Sequence, residues 1–155
     1  MIGKDYEEFL RLLNKHKARY CIVGAYALAF YAVPRYTKDM DVFMEQSQDN
    51  AKKIMAALRE FGFASLNLTE EDFMEPNAII QLGYEPVRID LVTAIDGCSF
   101  GRIWKNRKKG SYGKQKVFFI GLDDLIRNKQ AANRKQDQVD LELLKRYSGN
   151  LKRKA

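Results

Sequence analysis

The chain has 155 residues, 46% of them hydrophobic and 30% charged, a composition that implies one globular domain; with only 3 prolines it argues against a long disordered tail. Lys and Arg number 27 against 20 Asp and Glu, and the net charge of +7 favours a polyanionic partner such as a nucleotide, a nucleic acid or a phosphorylated ligand. Cys21 and Cys98 form no CxxC pair and His16 is the single histidine, which speaks against a zinc site and against histidine-based catalysis.

The opening MIGKDYEEF has no signal-peptide core, and the longest uncharged stretch, Tyr20 to Pro34, is too short to cross a bilayer. A reducing, cytoplasmic setting with no membrane contact is the expectation. Asp5 is placed to cap a first helix in which Tyr6, Phe9, Leu10 and Leu13 form one apolar stripe. YCIV (20–23) is a short β-prone run ending at Gly24, and the uncharged AYALAFYAV (25–33) predicts a short helix buried on all sides and stopped by Pro34. MDVFM (40–44) predicts a strand. Ser47 or Asp49 then opens a helix carrying Ile54, Leu58 and Phe61, which Gly62 ends.

Residues 63–77 carry acidic loop chemistry and no clear period. AIIQL (78–82) and VRIDLVTAI (87–95), joined by GYEP, predict an antiparallel pair of strands. Residues 102–116 hold seven basic residues and no acid, with Trp104 and Tyr112 interleaved, a pattern suited to contact with single-stranded RNA or simply to a solvated loop. KVFFIG (116–121) predicts a last strand. Asp123 and Asp124 sit in the first turn of a final helical region in which Val139, Leu143 and Tyr147 continue a stripe. The expected class is α/β (or α+β): a mixed sheet flanked by helices. Residues 1–155 would make a single domain, with helices 122–147 packed on it and a short basic tail, 148–155, that is frayed.

Asp39 and Asp41 are the anomaly. In a strand they point to one face with Cα atoms roughly 7 Å apart, and two ionised carboxylates that close repel unless a cation intervenes. Oxygen ligands suit magnesium. Arg88 and Asp90 interrupt an otherwise apolar strand, and an unpaired aspartate there is costly. Were the two strands neighbours, Asp39, Asp41 and Asp90 would form a nest for divalent ions. Asp90 could equally pair with Arg88, which shares its face.

The stretch VGAYALAFYAVPRYTKDMDVFM (23–44) resembles the nucleotidyltransferase superfamily typified by DNA polymerase beta, and most closely its small bacterial branch of lincosamide nucleotidyltransferases and abortive-infection toxins. The family pattern is Gly-Gly or Gly-Ser, a helix-length spacer, Asp-x-Asp, and a third acid on a later strand. Gly24 and Ala25 take the dipeptide, Asp39 and Asp41 the pair, and Asp90 the third acid. IGLDDLIRNKQAANRKQDQVDLELL adds Lys129, Arg134 and Asp137, which match a lysine and an Arg-x-x-Asp pair of the same branch, with Asp140 one turn on. Ala25 departs from the pattern, because a serine there would touch the triphosphate.

The resemblance implies a nucleotidyltransferase that moves an NMP from an NTP, such as ATP, to a hydroxyl of an unidentified acceptor, with Mg2+ or Mn2+ as cofactor. Asp39, Asp41 and Asp90 would be the catalytic and metal-binding residues. Gly24, Ala25, Arg35, Thr37, Lys38 and Lys129 would bind the nucleotide. A chain with little beyond a catalytic core could complete its acceptor pocket as a homodimer. The competing readings are an inactive relative that binds a nucleotide or partner, as in a toxin–antitoxin pair, and a basic RNA-binding protein working through 102–116.

Overall fold

A computed structural model describes residues 4–32, 34, 39–62, 67–84 and 87–154. Its first helix, α1 (Lys4–Lys15), buries Tyr6, Phe9, Leu10, Leu12 and Leu13, so the apolar stripe lies against the core as the spacing predicts. Strand β1 (Tyr20–Val23) is buried throughout and runs straight into α2 (Gly24–Tyr31). Strand β2 (Asp39–Met44) and helix α3 (Gln48–Phe61) follow. The Ser47 hydroxyl caps α3 by accepting from the Asn50 N–H, and Gly62 closes it in the left-handed conformation at φ 104°. A 3₁₀ turn (Glu70–Phe73) leads to the antiparallel pair β3 (Ile79–Tyr84) and β4 (Val87–Val92). The rest is α4 (Phe100–Lys105), β5 (Lys108–Tyr112), β6 (Gln115–Phe119), α5 (Leu122–Ala132) and α6 (Lys135–Lys154).

The strands form one mixed six-stranded sheet in the order β3-β4-β2-β1-β6-β5. β1 is antiparallel to β2 and parallel to β6, and β2 is parallel to β4. Buried Asn50 pins the site-bearing strands at one end: its side-chain carbonyl accepts from the Arg19 N–H at 2.7 Å, and its amide donates to the Arg19 and Glu45 carbonyls at 3.0 and 2.9 Å. The Arg19 carbonyl also accepts from the Glu45 N–H, but an apolar residue at 50 would leave the Arg19 N–H and the Glu45 carbonyl without this partner, at about 1–3 kcal/mol each.

The expected class, α/β with a mixed sheet flanked by helices, is the observed one. Some expectations need correction. Helix α2 ends at Tyr31 and is not buried on all sides: Ala27, Leu28 and Tyr31 are, whereas Phe30 is 37% exposed and stacks on Phe119 at 4.2 Å between ring centroids. The basic stretch 102–116 is not one loop but holds the end of α4, all of β5 and the start of β6. Among the described side chains of α6 the buried positions are Asp137, Asp140 and Leu144, while Val139 is 56% exposed.

Candidate active site

The chain brings the three aspartates together by strand pairing. In the parallel β2–β4 register Asp41 stands opposite Asp90 and Asp39 opposite Arg88. Residues paired across a ladder share a face, as do residues two apart along a strand, so Asp39, Asp41, Arg88 and Asp90 all lie on one side of the sheet. The other neighbour of Asp41 is Val23, the last residue of β1.

Gly24 follows Val23 at φ +66°, a left-handed conformation that glycine adopts without steric cost. A Cβ at this position would run into the Asp41 carboxylate. The glycine thus turns the strand into α2 and makes room for the acid beside the helix N-terminus. Ala25, the second residue of α2, is half-buried there. No side chain caps this helix end, so its N–H groups are met by no cap of its own.

Charge in the site is unevenly balanced. The Arg88 guanidinium grips Asp90 with two hydrogen bonds of 3.0 Å and approaches Asp39 at 3.7 Å. The ion pair weighed against a metal nest is therefore present, but it lies inside the cluster. The carboxyl of Asp41 is pushed up to about 6 by burial first, then by the charges of Asp90 and Asp39, with Lys129 and Arg88 pulling the other way.

Helices α5 and α6 supply the second source of positive charge. Lys129 is 4% exposed, and its ammonium lies 2.9 Å from Asp140 and 3.3 Å from Asp137. Arg134 holds Asp137 at 2.8 Å. Burial pushes the Asp137 carboxyl up, but hydrogen bonds from Arg134 and the charge of Lys129 outweigh it and leave it below the usual carboxylate value. Lys129, Arg134, Asp137 and Asp140, quoted together from the sequence, are one linked group. Lys129 is not the surface lysine that helical lysines commonly are: it is locked between two acids while adding its field to Asp41.

Of the expected nucleotide-binding residues, Gly24 packs against Asp41, Ala25 follows it at the start of α2, and Lys129 acts on Asp41 through its charge; Arg35, Thr37 and Lys38 lie outside the described residues. Tyr6 had no site role in the sequence reading, yet its hydroxyl donates to the Arg88 carbonyl and accepts from the Arg88 N–H, both at 3.2 Å, which fixes the strand carrying Arg88 and Asp90. The available signal was a hydroxyl on an apolar helix stripe, which needs a polar partner once buried. Tyr112, read as part of the basic segment, is buried among the rings of Tyr6 and Tyr26.

Among the described residues no group of three or more His, Cys, Asp and Glu is arranged as a ready metal site. The donor chemistry nevertheless suits a hard divalent cation: all three side chains are carboxylates, they share one face, and like-charge repulsion already raises Asp41. The Arg88 guanidinium lies between Asp39 and Asp90 and bonds Asp90 directly.

Comparison with known proteins agrees with this fold. Over nearly its whole length the chain superposes on TM1012 of Thermotoga maritima, assigned as a nucleotidyltransferase, with a TM-score of 0.56 and 16% identity, covering 97% of this chain and 96% of that one. It superposes also on the lincomycin-bound lincosamide antibiotic adenylyltransferase LnuA, with a TM-score of 0.55 and 13% identity, covering 92% and 96%. At such identities the likeness is one of fold. A sequence comparison with curated proteins gives no significant match. Residues 3–154 match the family described as nucleotidyl transferase of unknown function (DUF2204), nearly the whole chain, and the protein therefore belongs to that family of transferases.

Proposed function

We propose that the protein moves a nucleoside monophosphate from an NTP to a hydroxyl of an acceptor in a reaction that needs a divalent metal, Mg2+ or Mn2+. The observation that carries this reading is the register of Asp41 against Asp90 on neighbouring parallel strands, with Asp39 on the same face and Gly24 packed against Asp41. In this reading the N–H groups at the start of α2 bind phosphate oxygens, aided by the helix dipole. Asp39, Asp41 and Asp90 hold the metal, which when bound neutralises the triphosphate and the leaving pyrophosphate. Asp90 takes the proton of the acceptor hydroxyl, which requires Arg88 to loosen its bidentate grip. Lys129, already fixed by Asp137 and Asp140, contributes positive potential near the phosphates. Arg35, Thr37 and Lys38 are placed by the chain just before the acid pair and are assigned to the triphosphate.

The likeness to an enzyme that adenylylates a lincosamide makes ATP the first donor to test and a hydroxylated small molecule the first acceptor class, ahead of a protein or an RNA end. Arg88 also favours a second reading, a nucleotide-binding protein without transfer, since it already satisfies Asp90. One experiment separates the two. Wild type and Asp41→Asn are incubated with each α-labelled NTP, magnesium or manganese, and an acceptor panel. Label transfer by wild type, reduced at least about a hundredfold in the variant, is expected; metal-dependent nucleotide binding with transfer to no acceptor would leave the second reading standing.

A further inference from the structure

A cleft of about 570 Å³ lies away from the aspartates, lined by Asn14, Lys17, Ala18, Arg19, Lys53, Trp104, Lys116 and Phe118. It sits beyond the Tyr20 end of β1, whereas Asp41 pairs with Val23 at the other end. Half of its lining residues are cationic and none is acidic. The cations come from separate places: the α1–β1 connection, α3, and the start of β6. Ala18 is buried and Trp104 and Phe118 are half-buried, while Lys17, Arg19 and Lys116 are exposed, so an apolar wall stands inside a positive rim.

The cleft is rigidly built. Asn14 donates to the Lys116 carbonyl at 2.7 Å and accepts from the Tyr20 hydroxyl at 2.9 Å, which locks the end of α1 to β1 and β6. Trp104 is held by the Arg107 guanidinium 3.7 Å from its ring centroid and by the edge-on ring of Phe118 at 5.3 Å. Arg19 and Lys53 each have a carboxylate partner, Glu45 at 3.1 Å and Asp49 at 2.9 Å. Among the described residues Lys17 and Lys116 have none, so their charge is available to a ligand.

We infer that this cleft binds a single-stranded polynucleotide, its phosphates on Lys17, Lys116 and Arg19 and a base against the Trp104–Phe118 wall. Charge alone would suit any anion. An apolar aromatic wall beside spaced cations is the chemistry by which single strands are held, base on ring and backbone on lysine. The base faces of a duplex are stacked on one another and would leave that wall empty. The assignment does not depend on transfer chemistry at the aspartates.

Trp104 is the only tryptophan in the chain, so intrinsic fluorescence reads this cleft directly. The full chain is titrated with a short oligouridylate, the matching oligodeoxythymidylate, an RNA duplex, UMP and inorganic phosphate, without NTP or divalent metal. Expected is quenching by the single strands, with affinity falling linearly in log salt. Comparing RNA with DNA tells which strand is preferred. In Lys17→Asn/Lys116→Gln the affinity falls roughly tenfold and the salt slope shrinks by about 1.4, or 0.7 for each single-strand phosphate no longer neutralised. Asparagine is chosen because Lys17 stands at φ 57°, which asparagine tolerates. Should the double variant fail to fold, Lys116→Gln alone must reduce the slope by about 0.7. No quenching, quenching by UMP or phosphate at the same concentrations, equal binding of the duplex, or an unchanged slope in the variant would each overturn the assignment.

Discussion

Asp41 shows how a residue proposed for function opposes stability. Its carboxyl titrates near 6 in the folded protein because burial and two neighbouring acids disfavour the anion, against an ordinary value of 3.8. The folded state therefore holds a proton that the unfolded state has released between those values, and stability falls as pH rises through that window. Below about pH 4 both states are protonated and the penalty is absent; above about pH 6 it is fully present. Replacing the acid by its amide removes the penalty. Asp41→Asn should be more stable than wild type by about 1–2 kcal/mol above pH 6, after allowance for solvent screening of a partly exposed group, with the gap closing towards pH 4. Thermal unfolding across pH 4–8 in chelator checks this; a variant that is no more stable at pH 8 than at pH 4, relative to wild type, would contradict it. The same substitution stabilises the fold and, under the proposed function, removes transfer.

At the scale of elements, where the last turn of α5 meets the first turns of α6, the Lys129 ammonium sits between Asp137 and Asp140. Without the cation Asp137 keeps its bonds from Arg134, but buried Asp140 loses the ammonium and keeps the Gln136 amide. Lys129→Met is expected to lower urea-unfolding stability by about 3 kcal/mol, the low end of what breaking a buried pair typically costs. Adding Asp140→Leu should recover much of it, because the buried charge leaves with its partner. A Lys129→Met protein within 1 kcal/mol of wild type would show that water already solvates the pair. These helices also show what was legible. The lysine and the Arg-x-x-Asp pair were marked only by the family resemblance, and the Val139 stripe misled, because periodicity counts apolar residues and the buried face here begins with two aspartates. β5 was missed for a related reason: KKGSY is mostly exposed at the outer edge of the sheet and carries no apolar alternation. Strands β1, β2 and β4 lie at the sheet centre, where burial imposes a pattern, and they were readable. So were the acids they carry. Arg88 could be read only as a rival partner, because spacing does not say whether a cation joins an acid cluster or replaces it.

Across the whole molecule, the last two helices are tied to the rest of the fold at separated points, through α2 and α4. Tyr31 of α2 donates to the Ile120 carbonyl at 2.7 Å and meets the ring of Tyr147 at 6.1 Å. Arg102 of α4 bonds buried Asp124 of α5 at 2.8 Å. The expected consequence is one cooperative unit. Urea unfolding followed by Trp104 fluorescence, which reports α4 and β6, and by far-UV circular dichroism, weighted towards the helices, should give coincident transitions. Helical signal disappearing in an earlier separate step would divide the chain into two units.

The order of residues along β4 bears on how such a site can be assembled at all. Gly24 and Asp41 meet through strands that are close in the chain, β1 and β2, whereas the third acid arrives from about fifty positions later. It does not arrive bare: the same strand delivers an arginine two places ahead of it, already bidentate on it and reaching for Asp39. Wherever β4 docks during folding, negative and positive charge enter as a package, so the chain is spared an intermediate with three naked anions crowded in a partly dry crevice. An internal chaperone of this kind, a counter-charge carried by the same strand, lets the acids come together with their compensation already in place.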